Sequence, residues 1–270
     1  MEQKSILFYD SGIGGVSVLA VARQGLPSES FIYFADTKNA PYGDKTVEQI
    51  RSFVLENVAE LLESHPIKAI VIACNTATSA AIAELRAQYP NLVVVGMEPA
   101  LKPAVEASQD GNVMVLATEV TLREAKFLQL CERYSEHANI IPLPCPGLMN
   151  FAEEGTFDGA ELAEYLRDKF ADGAKKCNGD LSAVVLGCTH YSFLASAIER
   201  EIAGYSHSEV QIFDGREGTV RELEKQLDNR KWLSQCDGNA IFLNSLNDEA
   251  KNAFAEQLSE MPMGVKNETS

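Results

Sequence analysis

Basic residues are scarce in this chain. Its 270 residues hold 23 Lys and Arg against 39 Asp and Glu, a formal charge of −16, and nowhere do the cations cluster. Phosphate backbones are held by grouped positive charge, so a nucleic-acid surface is excluded and the acidic excess reads as solubility. No apolar run approaches the length of a membrane span, and the four apolar residues after Ser5 are too few for the core of a signal peptide. A soluble, cytoplasmic protein with no membrane association is expected. The six cysteines, at 74, 131, 145, 177, 188 and 236, include no Cys-x-x-Cys pair, so in a reducing compartment they read as free thiols, neither staples nor zinc ligands. No Gly/Ser/Pro-rich linker divides the chain.

What is present is patterned and apolar, 46% hydrophobic and long enough for one large α/β domain or two medium ones. The organising stretch is Ala69-Ile70-Val71-Ile72-Ala73-Cys74-Asn75-Thr76-Ala77-Thr78, in which five apolar residues run into a cysteine and then into polar side chains. The run predicts a buried strand. Ala80, Ala81, Ala83 and Leu85 predict a helix after it, with Asn75, Thr76 and Thr78 available as caps. The pattern recurs at Ala183-Val184-Val185-Leu186-Gly187-Cys188-Thr189-His190, followed by Leu194, Ala195, Ala197 and Ile198 at helical spacing. The offset, 188 − 74 = 114 residues, is too long for a small repeat array and fits two domains with one strand–Cys–helix unit each. Open α/β sheets bind ligands beyond the carboxyl ends of their strands, where both thiols would lie.

Strands are expected at 6–9, 31–35, 92–95, 113–116, 139–143, 210–215 and 240–243 besides the two cysteine units, with helices between them, including one over 122–133. This alternation predicts an α/β fold: two pseudo-symmetric domains with mostly parallel sheets flanked by helices, the active site in the cleft between them. The chain is expected to cross near residue 97 and return near 208. Residues 1–96 with 208–270 would then form the first domain, carrying Cys74, and 97–207 the second, carrying Cys188; Gly264 to Ser270 are expected to fray. Asp10-Ser11-Gly12-Ile13-Gly14-Gly15 lacks the last glycine of a dinucleotide fingerprint, because Ser17 occupies that place, and reads as a tight turn. Thr118 and Thr121 read first as helix caps, with amides nearby that a ligand carboxylate could share.

A thiol at a helix start meets the positive end of the dipole and free amides, which favour thiolate below the usual pKa of about 8.5. Two such groups on opposite faces of one carbon, one removing a proton and one delivering it, would invert a stereocentre. An amino acid's α-proton is far less acidic than a thiol, so placement and charge stabilisation must make up the difference. His190 and Asp10 are the natural helpers in proton transfer. Cys131, Cys145, Cys177 and Cys236 lack the duplicated context and are assigned to packing or loop surface, and His65 and His137 to the surface. Cys188 and His190 have no further ligands at metal-binding spacing, so no metal is expected.

Five motifs in order, Asp10-Ser11-Gly12-x-Gly14-Gly15, Pro41-Tyr42-Gly43, Cys74-Asn75-Thr76-Ala77, Cys145-Pro146 with Glu153 eight residues on, and Gly187-Cys188-Thr189-His190-Tyr191, resemble the glutamate racemases of the cofactor-independent aspartate/glutamate racemase superfamily. The resemblance implies a two-base isomerase with no pyridoxal phosphate, metal or other cofactor, interconverting L- and D-glutamate and supplying D-glutamate for peptidoglycan. By similarity Cys74 would take the α-proton of D-glutamate with Asp10 assisting, and Cys188 that of L-glutamate, with His190 assisting and Glu153 near it. Ligand contacts would fall on Asp10, Ser11, Tyr42, Gly43, Asn75, Thr76, Thr118, Thr121, Thr189 and His190, with Pro41 shaping its loop, and a homodimer is implied.

Three positions depart from the pattern. Ala117 stands where a glycine is common, Ser192 where a proline follows His-Tyr, and Gly215 where a serine follows the aspartate; Ser192 is expected to loosen the helix start. An aspartate racemase or another two-cysteine isomerase would keep the same thiols. A Cys–His hydrolase built on Cys188 and His190 would leave Cys74 without a task. A non-catalytic amino-acid-binding protein would not need Asp10 and His190 beside the cysteines.

Overall fold

The computed structural model describes residues 4–108, 110–177 and 180–261; the expected fraying of Gly264 to Ser270 lies outside them. The strands, in chain order, are β1 (Ser5–Asp10), β2 (Phe31–Ala35), β3 (Ile67–Ile72), β4 (Val93–Gly96), β5 (Asn112–Ala117), β6 (Asn139–Pro144), β7 (Leu181–Leu186), β8 (Gln211–Asp214) and β9 (Ala240–Asn244). They form two sheets, ordered β4-β3-β1-β2-β9 and β6-β5-β7-β8, and every pairing is parallel. Helices flank both sheets, as parallel strands require, because each must be joined to the next by a crossover.

The chain separates into two compact units, passing from the first to the second after Glu98 and back again between Gly215 and Arg216. The return near 208 anticipated from sequence comes too early. β8 pairs with β7 from Ala183↔Gln211 to Leu186↔Asp214, so it belongs to the second sheet. A four-residue apolar run carries no label for the sheet it will join.

In the first unit, β2, β3 and all of β1 after Ser5 are buried on both faces, which is why they read as apolar runs. The helix Val47–Ser64 opens on a capping box between Thr46 and Gln49 and packs beside the helix Asn75–Gln88, while the helix Val16–Gly25 packs with Arg216–Asn229 and Glu249–Ser259. In the second unit the core alternates along β5. Met114 and Leu116 join Leu162, Leu166, Phe170 and Ile198, whereas Val113, Val115 and Ala117 join Leu101, Val105 and Phe127. The single helix expected over 122–133 is two, Glu119–Arg123 and Ala125–Tyr134, because Glu124 between them takes an extended backbone.

The C-terminal return of the first unit is fastened by a buried ion pair. Lys68 Nζ lies 2.6 Å from Glu29 Oε2, with side-chain exposures of 8% and 2%. Lys68 also donates to the Trp232 carbonyl and the Ser234 hydroxyl, while Glu29 accepts from the Ser234 amide and hydroxyl. Gly238 rests on the Glu29 backbone so closely that any Cβ would collide with the Glu29 carbonyl. Breaking a buried pair leaves an uncompensated charge, so Lys68→Met should cost about 3–5 kcal/mol of unfolding free energy in urea titration. Glu29→Leu combined with Lys68→Met should cost less than the sum of the two single changes.

Candidate active site

In the first sheet β1 leads to β2 on one side, while β3 leads to β4 on the other. The loops after β1 and β3 therefore part from each other beside adjacent strand ends, the crevice in which open α/β sheets hold ligands. Asp10 ends β1 and Cys74 follows β3. The second sheet repeats the device. β5 leads to β6 and β7 to β8 in opposite directions, and the loops that part carry Thr118 and Cys188.

Asp10 is fully buried, and its Oδ1 accepts from the Gly12 amide at 2.9 Å. A Cβ at Gly15 would lie 2.7 Å from the Asp10 Cβ, so glycine there is what lets the loop close over the carboxylate. Tyr33 supports the same loop by donating to the Gly12 carbonyl at 2.6 Å. Cys74 is itself the N-cap of the helix Asn75–Gln88; its sulfur accepts from the Ala77 amide at 3.5 Å and lies 3.7 Å from the Ser11 hydroxyl. The cap expected from Asn75, Thr76 or Thr78 thus comes from the cysteine. Thr78 instead donates to the Ile72 carbonyl. Asn75 is 3% exposed, and neither its amide nitrogen nor its oxygen has a hydrogen-bond partner among the described residues. Such a group costs free energy that a polar ligand would recover.

Pro41, joined to Ala40 by a cis peptide, precedes a short 3-10 turn over Tyr42–Asp44 that lies beside the helix Asn75–Gln88. The Tyr42 hydroxyl does not point outward as a ligand contact would. It is buried against Tyr9 and Asp36, and of the two loop residues Tyr42 and Gly43 only Gly43 is partly exposed.

In the second unit Cys188, 8% exposed, precedes a 3-10 turn over Thr189–Leu194, and the α-helix Ala195–Ile202 follows only after it. The expected α-helical start at Cys188 is therefore a tighter turn. Two ties hold it: Tyr191 donates to the Cys145 carbonyl at 3.1 Å, and Ser192 donates to Asp214 Oδ2 at 3.2 Å. Ser192, expected to loosen the helix start, instead fastens the turn. Ala117 is accommodated across from Gly187, where a Cβ would come within 2.9 Å of the Ala117 methyl. Thr118 caps the helix Glu119–Arg123, accepting from the Thr121 amide and donating to its hydroxyl at 3.0 Å. Thr189 is buried at the start of the Cys188 turn.

His190 is buried with its two ring nitrogens divided. Nδ1 lies 3.6 Å from Cys188 Sγ, and Nε2 lies 2.8 Å from Glu153 Oε1. Burial pulls the imidazole pKa down, but hydrogen bonds to Cys188 and Glu153, with the charges on both, outweigh it and carry His190 well above the usual histidine range. Cys145, expected to pack, is buried in the core, where burial pushes its thiol up to about 12; burial likewise takes Cys131 to about 11. No group of three or more His, Cys, Asp or Glu able to hold a metal occurs among the described residues, and no helix of theirs is long and apolar enough to cross a membrane.

A family model for the Asp/Glu/hydantoin racemases matches residues 17–223. The chain belongs to that family. Among the relatives of this racemase-family chain, the glutamate racemase of Clostridium acetobutylicum is 48% identical over 242 residues, 89% of this chain and 91% of the other. Glutamate racemase isoform RacE1 of Bacillus anthracis superimposes with a TM-score of 0.83 at 27% identity, covering 98% of this chain and 97% of that one. The Escherichia coli glutamate racemase, solved with L-glutamate and the activator UDP-MurNAc-ala, superimposes with a TM-score of 0.79 at 26% identity over 95% and 96%.

Sequence reading did not find Asp36, Tyr9 or Asn57. Tyr9 passes for one more apolar strand residue and Asp36 for a turn former, and no local pattern says that they meet.

His190 bound to Glu153 has a pH signature with a definite sign. Its folded pKa is raised, so the stability it adds is fully present below the unfolded value of about 6.5 and is lost as pH rises through the folded pKa. Glu153→Gln removes one of the two partners that raise it. In an NMR titration, the His190 resonance should move at lower pH in that variant than in the parent. An unmoved titration would mean that Glu153 does not set the charge of the imidazole.

Proposed function

We propose that the chain interconverts L- and D-glutamate by two-base proton transfer between Cys74 and Cys188, without a cofactor. The observation that carries this reading is the matched placement of the two thiols, each after a strand at the switch point of its own sheet and each with its own helper. The 48% identity to a glutamate racemase favours glutamate over aspartate as substrate.

In this reading the Cys74 thiolate removes the α-proton of D-glutamate while the Cys188 thiol delivers a proton to the opposite face. The product is L-glutamate, with Cys74 now thiol and Cys188 thiolate, the state from which the reverse reaction starts. Protons balance, and nothing is oxidised. His190, held protonated by its partners, donates toward Cys188 when that sulfur carries charge, and Ser11 and Asp10 serve the Cys74 side. Asn75, Thr76, Thr189 and the backbone of Tyr42 and Gly43 hold the amino acid, with Thr118 and Thr121 at the rim of the Cys188 side. Buried polar groups and exposed amides offset the charge that builds on the α-carbon. The setting proposed for this activity is a cytoplasmic homodimer supplying D-glutamate to peptidoglycan.

Deuterium incorporation at the α-carbon in D₂O tests this directly. L- and D-glutamate should both exchange, aspartate far less, and Cys74→Ser and Cys188→Ser should each lower turnover by about 10²- to 10⁴-fold, the usual weight of a positioned acid or base. Full exchange in Cys74→Ser would sink the two-thiol mechanism, and absence of exchange in the parent would sink racemisation altogether.

A further inference from the structure

Beneath the Tyr42–Gly43 loop lies a chain of buried hydrogen bonds that no step of the reaction described above uses. Tyr42 donates to Asp36 Oδ2 at 2.6 Å, and its hydroxyl lies 2.7 Å from that of Tyr9. Asn57 Nδ2 donates to the Tyr9 hydroxyl at 3.0 Å, and Asn39 Nδ2 lies 3.0 Å from both oxygens of Asp36. Asp36 is fully buried, and Tyr9 and Tyr42 are at most 1% exposed.

The donor inventory gives this chain one direction. A phenol has a single proton, and that of Tyr42 is spent on Asp36, so Tyr9 accepts from Asn57 and has the Tyr42 oxygen at 2.7 Å as its near acceptor, with Asp36 Oδ2 a longer one at 3.5 Å. The order is Asn57 to Tyr9 to Tyr42 to Asp36. Burial above all, then the facing phenol or carboxylate, holds both phenols well above their usual pKa, so the protons that this order needs stay in place. Linked bonds of this kind polarise one another and fix the groups that they join.

Asp36 is also tied through its backbone, since its amide donates to the Asp10 carbonyl at 2.9 Å. One residue therefore joins the strand end that carries Asp10 to the loop that carries Tyr42 and Gly43. Inside the loop the Asp44 and Lys45 amides make longer bonds, 3.5 and 3.1 Å, to the Pro41 and Tyr42 carbonyls, and the Tyr42 ring lies 6.4 Å from that of Phe53.

We propose that Asp36 is a positioning residue for amino-acid binding: through the Tyr42 hydroxyl it fixes the Tyr42–Gly43 backbone against the strand end of Asp10, so that the loop is already set when substrate arrives. The proposal rests on the ligand role given above to Tyr42 and Gly43. A loop ordered in advance is paid for in folding, and binding then costs less. Removing the anchor moves that ordering cost into binding, while the proton transfers at the two sulfurs keep their groups.

The test is steady-state racemisation of both glutamate enantiomers by the parent, Asp36→Ala, Tyr42→Phe and the double variant, with thermal unfolding measured for each. Lys68→Met serves as a control that destabilises the same unit from a distant buried pair. Each single variant should raise KM about tenfold in both directions, the scale of one lost hydrogen bond to a charged group, with kcat within about twofold of the parent. The double variant should be no worse than either single one, because both cut the same link. Lys68→Met should lower the unfolding temperature and leave KM alone.

An unchanged KM in Asp36→Ala or Tyr42→Phe overturns the proposal, as does the same KM rise in Lys68→Met, or fully additive effects in the double variant. If Asp36→Ala does not fold, Tyr42→Phe, which removes one oxygen, decides by the same KM criterion. A parent that racemises beside variants with normal KM would defeat this inference and leave the two-thiol reading standing. A parent that does not racemise would defeat both.

Discussion

Everything in the molecule depends on how a parallel sheet ends. Strands that all point one way finish on one edge, and the loops beyond them separate only where the strand order reverses, between β1 and β3 in one sheet and between β5 and β7 in the other. A side chain placed just past such a strand is held by the sheet on one side and faces open space on the other. Both cysteines of interest occupy that place, and so do Asp10 and Thr118. The rest of the chain, with its helices on each sheet face and the Lys68–Glu29 knot behind the first, serves to hold those edges still.

Holding polar groups still inside a protein requires that they be satisfied. Asp10, Asp36 and His190 are buried almost completely, and each finds its partners in loop amides, phenols or a carboxylate. These bonds do two things at once: they offset desolvation, and they leave each group one orientation. Asn75, next to Cys74, differs in that its buried amide has no such partner among the described residues.

The thiol-bearing strands were legible because burial on both faces writes itself as an unbroken apolar run, and a run that stops at cysteine followed by capping residues marks a strand end. Ala69–Cys74 and Ala183–Cys188 carry that signal in full. Which sheet a short strand joins was not legible, as with Gln211–Asp214, because pairing is decided by chain crossings and not by local composition. Nor was the direction of a ring: the resemblance makes Tyr42 a ligand contact, yet its hydroxyl is committed to Asp36. The turn after Cys188 likewise looks helical by spacing, and only the long-range bonds from Tyr191 and Ser192 make it a 3-10 turn. Local pattern fixes period and burial; partners far away in sequence fix geometry.

The two thiols are not equivalent, and the reaction proposed for them bears on why that is tolerable. Cys74 caps a 14-residue α-helix beside a hydroxyl, whereas Cys188 opens a 3-10 turn beside an imidazole that is also bound to a carboxylate. The enantiomers of an amino acid have equal free energy in water, so the equilibrium constant is unity and kcat/KM must be the same in both directions whatever the protein does. Unequal surroundings can therefore never favour one product. What they can do is divide a common barrier into different kcat and KM values for the two directions, according to which thiol rests ionised and which enantiomer is held more tightly. A racemase thus has no need of a symmetric site. It needs two proton carriers on opposite faces of one carbon, and in the reaction proposed for this chain each half would supply one from its own sheet edge.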